Sequence, residues 1–229
     1  MEVKYWKHFT LFGNLYTACM LISLLMIHKI VTVPIIGVCS AGVFIIPLTF
    51  IIVDISTEVY GYKASKKLLW SSMITLAFFC IIAAILLHLP SPTKWNYWNK
   101  TVDQTAYNFV FFHIIRNYFS VFIALAIGSF INAFVIARWR VLLNGKYFWL
   151  RSIGSSCIGE LIFTLIGIIF VVIGTENFLQ ILEIIAFSFI VKMIFNVIFA
   201  TPAVFVVRVL RISENINPND YEVVKNPFK

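Results

Sequence analysis

Apolar residues fall in long, nearly unbroken runs separated by short polar segments. Six runs stand out: 10–27, 38–54 with a start near Pro34, 68–89, 114–137, 152–174 and 181–207. A helix that crosses hydrocarbon needs about 20 such residues. The pattern therefore predicts an all-α polytopic membrane protein with six transmembrane helices. Residues 1–9 are a polar N-terminal segment, 10–209 the six-helix bundle and 210–229 a polar tail, together one domain. The third run ends at Pro90-Ser91-Pro92, which cannot continue a helix. No small-residue cleavage site stands out after the first run, so it reads as a span rather than a signal peptide.

Composition sharpens this picture. The 229 residues are 61% hydrophobic and 12% charged, with mean hydropathy +0.93; soluble domains carry roughly 25% charged residues. The net charge of +8 is scattered over separate short segments, which argues for membrane orientation and against nucleic-acid binding. With both termini on one side, that side collects the basic residues before the first run, Lys63 to Lys67, Arg138 to Arg151, and those after Val207. The other side keeps only Lys29, Lys94, Lys100 and Arg116, and Lys192 lies within the sixth run. Positive charge marks the cytoplasmic face, so both termini are predicted to be cytoplasmic. Cys19, Cys39, Cys80 and Cys157 lie in apolar runs without metal-ligand spacing, and they are expected to be buried thiols. No Walker loop, HExxH or GxSxG occurs. Neither a cofactor, a metal nor an enzymatic activity is expected.

Polar residues inside the runs are the candidate chemistry. Asp54 and Glu58 are four residues apart and share a helix face, just before Tyr60-Gly61 and the basic Lys63, Lys66 and Lys67. Glu160 lies about 12 Å into the fifth helix at 1.5 Å per residue, and Lys192 near the middle of the sixth. Charges at such depth cost several kcal/mol unless paired or wetted. Function and a structural Glu160–Lys192 ion pair are both open readings. Ser152, Ser156, Glu160, Thr164 and Gly167 share one face, as do Ala124, Gly128 and Asn132, and Lys192 with Asn196. Such stripes line a cavity or let helices pack closely. Pro47 and Pro202 interrupt runs and free the carbonyls of Val43 and Ile198, giving kinks or cavity walls. The loop over 89–113 holds Trp95, Tyr97, Trp98 and Tyr107, an interfacial belt or a ligand-stacking lid. It also contains Asn99-Lys100-Thr101, which matches a glycosylation acceptor.

Four ordered stretches carry a family resemblance. They are Pro47 to Lys67 with Asp-x-x-x-Glu-x-Tyr-Gly, then Asn144-Gly145-Lys146 with Leu150 to Ser155, then Gly159-Glu160-Leu161-Ile162, then Lys192 followed by Thr201-Pro202. They resemble the bacterial queuosine precursor transporters, earlier grouped as vitamin uptake transporters, over nearly the whole chain. The resemblance implies six helices and inner-membrane uptake of 7-cyano-7-deazaguanine, 7-aminomethyl-7-deazaguanine or queuine for tRNA modification salvage. It marks Asp54, Glu58, Tyr60, Glu160 and Lys192 as substrate-binding positions, to which the neighbouring Asn132 and Asn196 are added. Phe163 and Asn132 depart from the pattern, standing where many members carry an acid.

The chemistry suits such a ligand. A deazaguanine presents N1–H and a 2-amino group to carboxylates and amides, O6 to Lys or Asn, and flat faces to aromatic rings. The expected partners are this base and the lipid bilayer, with a homo-oligomer left open. Two other classes compete. One is a substrate-binding subunit of an ATP-driven importer. The other is an intramembrane enzyme using Asp54 and Glu58 as acid and base, for which no nucleophile or metal set is present.

Overall fold

The computed structural model describes residues 6–27, 29–33, 37–90, 92, 94–97, 100–172 and 178–216. Pro34, Trp98, Asn99 and the tail prolines Pro218 and Pro227 lie outside the described residues. Helix α1 covers Phe9–Leu25, α2 Ile46–Tyr60, α3 Tyr62–Leu87, α4 Gln104–Leu142, α5 Phe148–Val172 and α6 Phe178–Ser213. The segments Ala41–Tyr60, Tyr62–Leu87, Gln104–Leu142, Phe148–Ile169 and Ile181–Ser213 are long and apolar enough to cross a membrane. Helix α1 is apolar but has 17 residues, short of the roughly 20 that a perpendicular crossing needs. The architecture is thus an all-α membrane bundle with five candidate spans among the described residues.

The structure redraws several expected boundaries. The start of the second apolar run is a hairpin, β1 (Ile30–Val33) paired antiparallel with β2 (Gly37–Ser40). Its Ile, Val and Thr residues favour pleated backbone. A short 3₁₀ turn over Ala41–Phe44 follows, and the Ser40 hydroxyl accepts from the Gly42 N–H at its start. Pro47 therefore opens α2 in its first turn, where a missing N–H costs nothing, instead of interrupting a span. Pro202 does lie inside α6. The long loop holds a second hairpin, β3 (Lys94–Tyr97) with β4 (Lys100–Asp103), and α4 begins ten residues earlier than expected, at Gln104. Lys63, Lys66 and Lys67 belong to the first turns of α3 rather than to a loop. The chain passes from α2 to α3 through Gly61 alone, at φ 86°, a conformation that glycine adopts without a Cβ clash.

Helix α2 is the centre of the bundle. It packs against each of the other five helices, and all of its 15 residues except Leu48 and Ile52 are buried. Lipid-facing side chains sit elsewhere: Ile74, Phe78 and Ile81 on α3, and Ile190, Ile194 and Val197 on α6 are exposed. Helices α4 and α5 approach closely where Gly128 meets Gly159. A Cβ on Gly159 would stand 2.8 Å from the Asn132 Cβ, the Gly128 carbonyl oxygen and the Phe50 ring. That contact seats α5 against both the α4 face holding Asn132 and Phe50 of α2.

The start of α1 meets the ends of α2 and α6. The backbone N–H groups of Lys7 and His8 donate to the Glu214 carboxylate at 3.1 and 2.9 Å, and the Tyr60 hydroxyl donates to it at 3.3 Å. Burial acts to raise the Glu214 pKa, but these donors outweigh it and hold the carboxyl below its usual range. Trp6 and Phe9 pack on the Tyr60 ring. The four cysteines are free thiols.

Candidate functional site

A cavity of about 820 Å³ lies between the β1–β2 hairpin and helices α1, α2, α4, α5 and α6. It is within the size range of small-molecule sites, about 300–1,000 Å³. Its walls are mostly apolar, from Leu24, Ile46, Val121, Phe163 and Phe187. Its polar lining includes Ser23, Ser188, Glu183, Thr164 and Lys192. Glu183 and Lys192 are nine residues apart on α6, roughly 13.5 Å along the axis, so they mark two levels of the cavity.

Lys192 and Thr164 form the inner level. The Lys192 Nζ donates to Thr164 Oγ1 at 2.7 Å and sits 4.7 Å from the centre of the Phe163 ring, a cation–π distance. Phe163, where an acid was noted as missing, thus takes part in holding the ammonium. One helical turn beyond, Asn196 Nδ2 donates to Glu160 Oε1 at 2.8 Å. No ion pair joins Glu160 to Lys192, and each has a neutral partner on the facing helix. Glu160 Oε2 and Asn196 Oδ1 are buried without a hydrogen-bond partner. Two unsatisfied acceptors in one buried pair are costly, and they face no donor of the chain.

The next level is Asp54 on α2. Its Oδ1 accepts from Asn132 Nδ2 at 2.7 Å, and its Oδ2 from the Ser152 and Ser156 hydroxyls at 2.5 and 3.1 Å. All four residues are fully buried. The α5 stripe thus splits its duties: Ser152 and Ser156 serve Asp54, while Glu160 and Thr164 meet α6.

Glu58, one turn further, is held by three arginines. Arg151 of α5 grips it bidentately at 2.7 and 3.0 Å, Arg211 of α6 donates to Oε1, and Arg140 of α4 lies 3.7 Å from Oε1. Arg140 also donates to the Glu58 carbonyl at 2.7 Å, one of the last α2 carbonyls that lack an intrahelical donor. The remaining Arg151 donors reach the carbonyls of Lys146 and Gly145 in the α4–α5 turn. This turn has Asn144 and Gly145 at positive φ, which explains why the Asn144-Gly145-Lys146 stretch accompanies Arg151.

The structure therefore brings Glu160, Lys192 and Asn196 to the cavity's inner end, with Lys192 in its lining. It sets Asp54 with Asn132, and Glu58 with Tyr60 nearby, in separate buried layers towards the end where α1 starts and α6 finishes. Arg140 and Arg211 carry only an orienting role in the sequence, and Arg151 carries that role and a place in the Leu150 to Ser155 stretch. One signal for Arg140 was available: two more four-residue steps along the Ala124–Gly128–Asn132 stripe pass buried Ile136 and reach it. A buried acid at a helix end also requires a cation.

A helical membrane bundle with an apolar cavity whose lining reaches the buried Lys192 is the build expected of a transporter. The chain belongs to the family described as "Putative vitamin uptake transporter", whose model matches residues 40–207. No curated protein and no solved structure matches the chain.

Proposed function

We propose that this protein is an inner-membrane transporter that imports 7-deazaguanine bases, the precursors of queuosine. The observation that carries this reading is the pair of unpartnered acceptors, Glu160 Oε2 and Asn196 Oδ1, one turn beyond the cavity floor. The N1–H and 2-amino group of a deazaguanine form an adjacent pair of donors that complements them. The Lys192–Thr164 bond stands between the cavity and this pair. A base that reaches Glu160 displaces it, and its O6 then takes the ammonium in place of Thr164. Phe163 offers its face to the ring system. The purified protein alone in proteoliposomes should exchange labelled 7-aminomethyl-7-deazaguanine for unlabelled base and return it chemically unchanged. Absence of exchange with all three candidate bases would end this reading. Exchange only with an added ATPase module would make the chain a binding subunit.

In the bilayer all six helices cross, α1 by virtue of its polar flanks, and both termini face the cytoplasm with the arginine layer. In a background without native cysteines, an impermeant thiol reagent added outside should label Lys100→Cys and spare Lys146→Cys. The opposite pattern reverses the orientation.

A further inference from the structure

Asp54 and Glu58 sit one turn apart on the central helix, and their surroundings differ in kind. Glu58 has three guanidinium groups. Asp54, fully buried, has two hydroxyls and one amide and no cation within ion-pair distance. Neutral donors lessen the cost of a buried carboxylate without removing it, because the charge itself stays uncompensated.

The groups on the elements packed around Asp54 are already engaged. On its own helix Glu58 is bound by arginine. Arg140 of α4, Arg151 of α5 and Arg211 of α6 all bind Glu58. Glu160 of α5 and Lys192 of α6 bind Asn196 and Thr164. Tyr16 of α1 pairs with Ser129, and Tyr62, Lys63 and Lys66 of α3 have partners of their own. A metal ion does not fit between the oxygens either. Ser152 Oγ already touches Asp54 Oδ2 at 2.5 Å, and Asp54 does not line the cavity. A proton does fit, and an acceptor for it is present: Asn132 Oδ1 is buried without a partner. Turning the Asn132 amide over would aim that oxygen at Asp54 Oδ1 and receive the O–H of the protonated acid.

We infer that Asp54 is a proton-binding site in the membrane interior, and that its loading and unloading couples base uptake to the proton gradient. The coupling half rests on the transport reading above. The carboxylate takes one proton from one side and releases it to the other, with no bond to the base made or broken. Its place between the Glu160 layer and the arginine layer puts the charge change on the helix that touches every other helix.

Two measurements test the two halves. Infrared spectra of the membrane-reconstituted protein should show a protonated-carboxyl band that disappears in Asp54→Asn. A carboxyl region unchanged by the substitution, or no band at any pH, overturns the site. For coupling, Asp54→Asn should lose the base accumulation that an imposed pH gradient drives in the parent. Accumulation that survives in the variant overturns the coupling. Should the variant fail to fold, wild-type vesicles loaded with a pH dye decide instead: base entry without proton movement overturns it. Absence of base exchange in the wild type defeats the transport reading alone, and the infrared band still decides the proton site.

Discussion

Glu58→Gln should lower the stability of the folded bundle by about 3–5 kcal/mol, the usual cost of removing one partner from a buried ion cluster. The substitution leaves Arg140, Arg151 and Arg211 facing one another at the end of α2, with Arg151 and Arg140 buried. Glutamine keeps the shape and one acceptor but supplies no charge. The effect should spread, because the three arginines come from α4, α5 and α6. Removing the anion therefore loosens four helices together. Thermal unfolding of detergent-solubilised protein is the readout. Arg211→Gln added to Glu58→Gln should recover part of the loss, since it removes one of three like charges and is the most exposed of them. Additive destabilisation in that double-mutant cycle would show that Arg211 does not couple to Glu58, and an unchanged midpoint in Glu58→Gln would show that the cluster contributes no net stability.

Much of this architecture was legible because bilayer-spanning helices need long apolar runs, and length alone finds them. The boundaries were less legible where apolar residues serve two structures. The run that contains Val38 and Cys39 is hydrophobic whether it forms a strand or a helix, and only the pairing with Ile30–Val33 decides it. Gly61 as the whole α2–α3 connection was hidden for a similar reason, since Lys63 to Lys67 read as a loop by charge alone. Helix periodicity did place Ser152, Ser156, Glu160 and Thr164 on one side of α5. It could not say that the first two serve α2 and the last two serve α6, because that depends on how three helices meet around α2. The arginine layer was misjudged in weight. Counted by side, Arg140, Arg151 and Arg211 orient the chain; placed in space, they also neutralise Glu58.

Glu160→Gln should weaken deazaguanine binding about ten- to a hundred-fold, as expected for losing one charge-assisted hydrogen bond worth roughly 1.5–3 kcal/mol. In the free protein Glu160 Oε1 is used by Asn196 and Oε2 is spare, so the spare oxygen is the one offered to the base. Glutamine can still accept from Asn196 through its carbonyl, but its amide then presents donors to the ligand's donors. The loss of stability should be smaller than in Glu58→Gln, since Lys192 is hydrogen-bonded to Thr164 and stacked on Phe163 rather than paired directly with Glu160. Binding and stability therefore separate in this variant. Adding Lys192→Met should not restore affinity, because it removes the group that receives O6 and mends nothing at Glu160. Equilibrium binding to purified single and double variants, with unfolding midpoints measured alongside, makes the distinction. Wild-type affinity in the double variant would reduce the two residues to structural partners and move the base-reading site elsewhere in the cavity.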